Sequence, residues 1–344
     1  MFIPKYNITN KLLKNIKQIY GLVGELNQKR FPRVVLVEMQ KSAEAVSAHA
    51  STSIEGNPLP LTDVKVLLKT KPKNLRDSEQ EVINYNKVLQ EINSKLRKGK
   101  IQINLPLILD IQKKISDKLL PEFQSGKLRN QPVFVNDPRV HKTIYWPPDV
   151  QDVSLLMQDQ VEFVQKNRQV IDPLILAGIL HKQIVIIHPF MDGNGRAARL
   201  LTKILLAEMG LNTFNLFSFE NYYNNNVTRY FGMVGVRGNY YDVVGDIDFT
   251  LWLEYFTDGI IDELLRVSKF LPRLSISPQT ELKSYHKKIL EFIRQKGFIT
   301  NRAYAKIVKR ARATRYLDFK KLINLDLIQM KDKSKNTFYV LKEK

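Results

Sequence analysis

Residues 187–199 read Ile-His-Pro-Phe-Met-Asp-Gly-Asn-Gly-Arg-Ala-Ala-Arg, and this stretch decides how the chain is interpreted. An apolar helix over residues 173–187 is expected to end at His188, because proline disfavours helix at the residue before it. A turn rich in Gly and Asn follows. A second helix is then expected to begin near Gly195 and to run to about Met209. The sequence therefore predicts a turn at the N-terminus of a helix.

That turn has the composition of an anion site. Its free backbone N–H groups and the helix dipole favour phosphate, and Arg196 and Arg199 are spaced to face the same ligand. Asp192 beside a phosphate implies a divalent cation between them, with Mg²⁺ as the default. His188 has the pKa range of a general base. The alternative is a structural corner with a packed histidine and a capping aspartate.

The same residues resemble the core motif of Fic-domain (Fic/Doc) proteins, His-Pro-Phe-x-Asp-Gly-Asn-Gly-Arg-x-x-Arg, at every fixed position. The similarity extends over roughly residues 30–265. The resemblance implies a mainly α fold, with a Fic-type helical domain and a β-hairpin flap. It also implies a protein adenylyltransferase, which moves AMP from ATP onto a Tyr, Thr or Ser hydroxyl of target proteins and of itself.

The resemblance assigns roles to individual residues. His188 would be the general base and Asp192 the Mg²⁺ ligand. The residues that would bind ATP and its phosphates are Asp192, Gly193, Asn194, Gly195, Arg196 and Arg199. The residues on the adenine side would be Tyr230, Phe231 and Asn239. Phe231 stands where the family usually has a second tyrosine, and packing of Tyr230 and Phe231 in the core is the alternative.

A β-hairpin is predicted upstream of this motif. Residues 132–135 and 143–146 are short β-prone runs, and residues 136–139 between them have good turn chemistry. A hairpin inside a helical domain needs packing or a ligand for stability. The resemblance implies that it is the flap that aligns the target backbone by strand addition. The residues assigned to it are Val133, Phe134, Val135 and Asn136.

Residues 51–56, Ser-Thr-Ser-Ile-Glu-Gly, resemble the inhibitory motif of the same family. The resemblance implies an inhibitory helix over about residues 41–56, in which Glu55 pairs with Arg199 and Ser51 opens the motif. The pairing would take Arg199 from the γ-phosphate. A carboxylate at a helix C-terminus is disfavoured by the helix dipole and seeks a cation. A solvated surface role for Glu55 is the alternative.

Composition narrows the class of protein further. The 344 residues include no Cys, which excludes disulfides, thiolate metal sites and a cysteine nucleophile. The N-terminus lacks the apolar stretch of a secretory signal, and no run of about 20 apolar residues predicts a membrane span. A cytoplasmic protein without a membrane partner is expected.

The positive charge is concentrated at the C-terminal end. The chain has a net charge of +20, and residues 266–344 carry 21 Lys and Arg against 6 Asp and Glu. The pattern there predicts three helices and a closing β-hairpin, which resembles a winged helix domain. Basic residues on or near its recognition helix would be Arg310, Arg312, Arg315, Lys320 and Lys321. A basic domain of this kind favours DNA binding as its function. Protein docking and a solvated basic face are the alternatives.

The predicted organisation has three parts. Residues 1–100 form an N-terminal helical region, residues 101–270 the catalytic core, and residues 275–344 the winged helix-like domain. Two other functions stay open: a Fic-type transferase of UMP or phosphate, and a nucleotide-sensing DNA-binding regulator. Homodimers are frequent in the family, so a homodimer is a further expectation.

Overall fold

The computed structural model describes residues 2–70, 72–137, 142–210, 216–275, 281–332 and 337–342. Two compact units are present, one made of Met1–Lys29 and Ser42–Val267, the other of Arg30–Lys41 and Ser268–Lys344. The helices up to residue 275 are α1 (Asn10–Gln28), α2 (Arg33–Ile54), α3 (Leu61–Thr70), α4 (Asp77–Leu96), α5 (Leu105–Ile115), α6 (Val150–Asn167), α7 (Pro173–Ile187), α8 (Asn194–Leu206), α9 (Glu220–Asn224), α10 (Val227–Val234), α11 (Tyr240–Val243) and α12 (Thr250–Ser275).

The centre of the first unit is the pair α7 and α8. Helix α7 begins at Pro173, where Asp172 caps the first turn by accepting from the Leu174 N–H. Its apolar residues lie on all sides, and nearly all of them are buried, which is typical of a helix in the core. Helix α12 approaches closely at Gly178, where an added Cβ would lie 2.6 Å from the Leu253 side chain. A side chain at position 178 would therefore collide with α12.

The first unit also contains a small three-stranded sheet. Strand β1 (Val135–Asp137) pairs antiparallel with β2 (Lys142–Trp146), and β2 pairs parallel with β3 (Gly238–Asn239). Val135 lies opposite Tyr145, but Asn136 lies opposite Thr143, so a bulge interrupts the register. The first strand thus begins three residues later than the sequence analysis expected. Of the turn predicted at residues 136–139, Pro138 and Arg139 lie outside the described residues.

The end of the second unit is a helical bundle with a sheet. Its helices are α13 (Ser284–Lys296), α14 (Asn301–Ile307) and α15 (Arg312–Asn324), and its strands are β4 (Ile299–Thr300), β5 (Ile328–Lys331) and β6 (Phe338–Leu341). The strands form an antiparallel sheet in the order β4-β6-β5. A small core including Tyr304, Phe319 and Tyr339 lies between helices and sheet. The three helices and closing hairpin follow the order that the sequence predicted.

Within the described ranges, none of the helices is both long enough and apolar enough to cross a membrane.

Candidate functional site

His188 lies at the corner between α7 and α8. It caps the C-terminus of α7 with φ +50° and ψ 59°, a left-handed conformation that is uncommon for a residue with a side chain. Its Nδ1 lies 3.4 Å from the Val185 carbonyl oxygen, so a proton on Nδ1 leaves Nε2 free to accept one. Burial lowers the pKa of His188 below its ordinary value. The imidazole is therefore neutral, and able to act as a base, at pH 7.

Arg129 fixes this corner, and the sequence analysis did not identify it as a site residue. Its Nε donates to the His188 carbonyl at 2.9 Å, its Nη1 donates to the Gln131 carbonyl at 3.3 Å, and its Nη2 donates to the Pro148 carbonyl. The guanidinium is buried, and burial lowers its pKa. Because Gln131 and Pro148 flank the hairpin, Arg129 joins both ends of the hairpin to His188.

The loop between the two helices is closed by Asn194. Its Oδ1 accepts from the Phe190 N–H, and its Nδ2 donates to the Phe190 carbonyl, both at 2.9 Å. The Asn194 carboxamide thus holds the loop, and its two polar atoms are both engaged by Phe190. Gly193 caps α8 with φ +86°, a conformation that favours glycine. The first-turn N–H groups of α8 have no acceptor within the helix and are available to an anion.

Arg196 lies on the first turn of α8 between two carboxylates. Its Nη1 lies 2.7 Å from Glu81 Oε1, and its Nη2 lies 2.6 Å from Asp192 Oδ2. Burial alone would lower the pKa of Arg196, but Asp192 and Glu81 more than offset this and the pKa is raised. The sequence analysis missed Glu81, which sits in α4 without any motif around it.

Arg199, one turn further along α8, is fully buried and is held from α2. Its Nε donates to Ser51 Oγ, and its Nη2 donates to the Ser51 carbonyl and to Glu55 Oε1, each at 2.7 Å. Burial alone would lower the pKa of Arg199, but Glu55 more than offsets this and the pKa is raised. Ser51, Glu55 and Arg199, which the sequence analysis placed together, are therefore in direct contact, and the Arg199 guanidinium stays charged.

Glu55 is presented by the end of α2. The Gly56 N–H donates to the Ser53 carbonyl at 3.0 Å and the Asn57 N–H to the Thr52 carbonyl at 3.1 Å, with Gly56 at φ +97°. This is a Schellman motif, which leaves Glu55 as the last residue before the chain turns. An added methyl group at Gly195 would overlap Glu55 Oε1, so the carboxylate lies directly against the first turn of α8.

The residues of the predicted adenine side lie in different surroundings. Tyr230 is buried, its hydroxyl lies 2.9 Å from His181 Nε2 and 3.3 Å from Arg199 Nη1, and burial raises its pKa to about 12. The Phe231 ring is exposed beside it. Asn239 is exposed too, and its Oδ1 accepts from the Tyr241 N–H. Tyr230 therefore contacts Arg199, while the Phe231 ring is partly exposed to solvent.

The predicted flap residues precede and begin β1. Val133 and Val135 are half-buried, whereas Phe134 and Asn136 are exposed. The Thr143 hydroxyl donates to Asn136 Oδ1 at 2.8 Å and braces the two strands. Only Val135 and Asn136 of this set lie in a strand, because the ladder begins at Val135, and the bulge lies between these two residues.

A cation at this site would have Asp192 as its protein ligand. Its carboxylate is 52% exposed, and no group of three or more His, Asp or Glu side chains suited to a metal occurs among the described residues. Mg²⁺ is commonly held by one or two carboxylates together with substrate phosphates and water. A single exposed carboxylate next to an anion site fits that mode of binding.

The C-terminal unit exposes a basic face on α15. Arg312 and Lys320 are exposed there with Tyr316 between them. Arg310 instead pairs with Asp318 at 2.8 Å and lies over the Tyr285 ring. The other two basic residues named from the sequence are also engaged: Arg315 donates to Asn301 Oδ1 and Lys321 to the Glu281 carbonyl.

Comparison with known proteins agrees with the motif. Residues 102–206 match the Fic/DOC family. The chain is 28% identical over 212 residues to the protein adenylyltransferase Fic of Nematostella vectensis, which covers 58% of this chain and 48% of that protein. It is 30% identical over 176 residues to the protein adenylyltransferase Fic of Drosophila erecta, covering 50% and 34%. The chain spans less than half the length of these distant homologues.

Solved structures share the fold. A Fic family protein from Desulfovibrio desulfuricans G20 has a TM-score of 0.67 at 18% identity, covering 100% of this chain and 99% of that one. A Fic domain containing signaling protein from Bacteroides thetaiotaomicron has a TM-score of 0.61 at 20% identity, covering 76% and 100%. The predicted mainly helical Fic fold with small sheets, one of them C-terminal and antiparallel, is confirmed.

Proposed function

We propose that this protein transfers AMP from ATP to a hydroxyl side chain of a protein, and that Glu55 restrains the reaction. The observation that carries the proposal is one juxtaposition. A neutral His188 ends α7, the open N-terminus of α8 follows within six residues, and Arg199 on α8 is held by Glu55 at 2.7 Å. A base, an anion site and an occupied phosphate-binding arginine thus share one corner.

The chemistry assigned to this corner is a nucleotidyl transfer. His188 Nε2 takes the proton of the target hydroxyl as its oxygen forms a bond to the α-phosphorus. The bond from that phosphorus to the oxygen bridging to the β-phosphate breaks, and pyrophosphate leaves. The N–H groups of α8 and the two arginines hold the phosphates, so catalysis comes mainly from positioning and electrostatics. Mg²⁺, held by Asp192 with the phosphates, would neutralise charge on the leaving group.

The restraint follows from the contacts of Arg199. Three of its hydrogen bonds go to Ser51 and Glu55, so the guanidinium is saturated on the side that a γ-phosphate would need. The Glu55 carboxylate also lies against Gly195, where it repels an anion. ATP bound under these conditions is held without its terminal phosphate in place, and its α-phosphorus is misaligned for attack.

The test is transfer of label from α-³²P-ATP with Mg²⁺ to the protein itself or to proteins of a lysate, followed by denaturing gels. Wild type, Glu55→Gly and His188→Ala proteins are compared. Label that depends on His188 supports AMP transfer. Parallel reactions with α-³²P-UTP and γ-³²P-ATP test UMP and phosphate transfer. Label from either of those donors alone would overturn the assignment of AMP.

Arg129→Ala, introduced into the Glu55→Gly protein, is expected to lower kcat about tenfold or more, because small misplacements of a catalytic group are costly. The affinity for ATP should stay nearly unchanged, since Arg129 contacts the His188 carbonyl and the hairpin ends rather than the arginines. Transfer kinetics and ATP binding are measured together. Arg168→Ala is the control, because Arg168 is half-buried and donates instead to Glu208 and to the Ile101 carbonyl. An unchanged kcat in Arg129→Ala would contradict this role.

A second activity, binding of duplex DNA, is favoured by the exposed face of α15. Arg312 and Lys320 project from this helix around Tyr316, within a stretch of strongly positive net charge. Arg310, Arg315 and Lys321 are engaged by other groups of the protein, whereas Arg312 and Lys320 lie on the same exposed face of α15. Phosphate contacts by such residues supply most of the affinity in non-specific DNA binding.

The double variant Arg312→Ala/Lys320→Ala is expected to weaken binding of a mixed-sequence DNA duplex. The slope of log affinity against log salt concentration should fall by about one to two, since each phosphate contact contributes about 0.9 to it. Fluorescence anisotropy with the full chain measures both quantities. Lys287→Ala/Lys288→Ala removes the same charge from α13 and serves as control. Equal losses in both variants, or no DNA binding at low salt, would exclude readout by α15 and leave protein docking.

A further inference from the structure

We propose that Glu81 is a positioning residue for Arg196, an assignment that rests on the proposed ATP-dependent function. Glu81 lies in α4, far in sequence from the motif. Its Oε1 lies 2.7 Å from Arg196 Nη1, and its Oε2 accepts from Asn57 Nδ2 at 2.6 Å. Each oxygen of the Glu81 carboxylate thus has a partner within the protein. The carboxylate therefore bridges the segment that follows Glu55 and the first turn of α8.

The two carboxylates on Arg196 differ in how firmly they are held. The Glu81 side chain is 15% exposed and is braced by Asn57, whereas the Asp192 side chain is 52% exposed and belongs to the loop. The Arg196 side chain is itself only 4% exposed. Its Nε is buried without a hydrogen-bond partner among the described residues. Glu81 is thus the anchor of the guanidinium, and Asp192 is the partner that a ligand can displace.

This difference decides what Arg196 can do. If Asp192 bound a cation, its contact with Arg196 Nη2 would be released. Nη2 would then be free to donate to a β- or γ-phosphate. Glu81 keeps Nη1 in position during that exchange, so the guanidinium does not turn away from the loop. A planar fork held at one end and free at the other is well suited to charge-assisted hydrogen bonding to phosphate.

Loss of the Glu81 charge should also strengthen the competing contact. With Asp192 as its only remaining carboxylate, Arg196 would hold Asp192 more tightly and make it less available to a cation. Both effects lower affinity for nucleotides that carry a β-phosphate. Neither effect concerns AMP, which lacks the phosphates that Arg196 would reach. The loss of affinity should therefore affect ADP and ATP but not AMP. A general loss of folding would lower the affinity for all three nucleotides.

The competing interpretation is that removal of Glu81 raises the affinity for ATP. If Glu81 restrained Arg196 as Glu55 restrains Arg199, its removal would raise affinity for ATP. This interpretation would draw on the net charge of −1 at the site, which would repel ATP. That charge is the sum over Glu55, Glu81, Asp192, Arg196 and Arg199. The anchoring by Asn57 and the low exposure of Glu81 favour positioning, because a restraint must leave when the ligand binds, whereas the second oxygen of Glu81 is already held by Asn57.

The experiment measures binding of AMP, ADP and a non-hydrolysable ATP analogue to the Glu55→Gly protein by calorimetry, with and without Glu81→Gln. We expect affinity for ADP and the ATP analogue in Mg²⁺ to fall about tenfold or more, as for loss of one charge-assisted contact, and AMP affinity to stay unchanged. Glu91→Gln is the matched control, since Glu91 is also on α4 and pairs with Lys114 at 2.7 Å. Unchanged or increased ATP affinity would overturn the proposal.

A double-mutant cycle shows whether Glu81 acts through Arg196. Adding Glu81→Gln to Arg196→Lys should cause little further loss, whereas an additive loss would overturn the assignment. The unfolding midpoint is followed throughout. Glu81→Asp keeps the charge on a shorter side chain and should restore part of the ATP affinity. If the Glu81→Gln protein does not fold, the Glu81→Asp protein is measured in its place. No nucleotide binding by the Glu55→Gly protein would overturn both proposals. Binding that depends on Glu81 without AMP transfer would overturn the proposed function alone.

Discussion

Replacing Glu55 by glycine is expected to raise AMP transfer by about ten- to a hundredfold. A hydrogen bond to a charged group contributes about 1.5–3 kcal/mol, and each 1.4 kcal/mol is a factor of ten. Under the proposed function, ATP has to displace Glu55 from Arg199, which lie 2.7 Å apart, before its terminal phosphate can be held in the wild type. Without the carboxylate the buried, charged Arg199 is available to the phosphate from the start.

The measurement is the initial rate of self-labelling from α-³²P-ATP at several ATP concentrations. Glu38→Gly removes a carboxylate from the same helix without touching Arg199 and should leave the rate unchanged. Ser51→Ala removes the hydroxyl that accepts from Arg199 Nε and should give a smaller increase than Glu55→Gly, because the carboxylate remains. Equal rates for Glu55→Gly and wild type would show that Glu55 does not restrain the reaction.

Replacing His188 by alanine in the Glu55→Gly protein is expected to lower transfer by about 10²–10⁴-fold, the usual contribution of a general base. ATP affinity should change little, because the arginines and the α8 N-terminus remain. His181→Ala is not an adequate control, since His181 is buried and hydrogen-bonded to Tyr230. His49→Ala, which removes a half-buried imidazole from α2, is the control. Transfer that survives in His188→Ala would require a different base.

The pH profile gives an independent check on His188. Burial lowers its pKa below 6.5, and the base form is the unprotonated imidazole. Activity of the Glu55→Gly protein should therefore hold as the pH falls through 6.5 and decline only below it, on the acid side. A profile with its midpoint above 6.5 would mean that another group carries the proton.

Local signals in the sequence were sufficient for the helical framework. The bounds of α7 follow from Asp172 and Pro173 at its start and from Pro189 after its end, all of which act within a few residues. The C-terminal helices could be predicted from local signals too, since α14 begins after its Thr300 cap as expected. Such signals act through backbone geometry and do not depend on distant parts of the chain.

The hairpin shows where local reading loses accuracy. Strand-forming residues at 132–135 predicted a ladder that starts at Pro132, but the ladder starts at Val135 and is bulged at once. Register depends on the partner strand and on what packs beneath it. In this case β2 is also tied to β3 from a distant part of the chain, and no pattern within residues 132–146 encodes that pairing.

The sequence by itself determined the candidate chemistry, because His188, Asp192 and the two arginines lie within twelve residues whose helix, turn and helix follow from local rules. Tertiary structure alone decided how those groups are held. Glu81 and Arg129 are separated from the motif by about a hundred and by 59 residues, and neither stands in a recognisable pattern. Their contacts arise from packing of α4 and the hairpin against the α7–α8 corner, which brings Glu81 and Arg129 within hydrogen-bond distance of the motif.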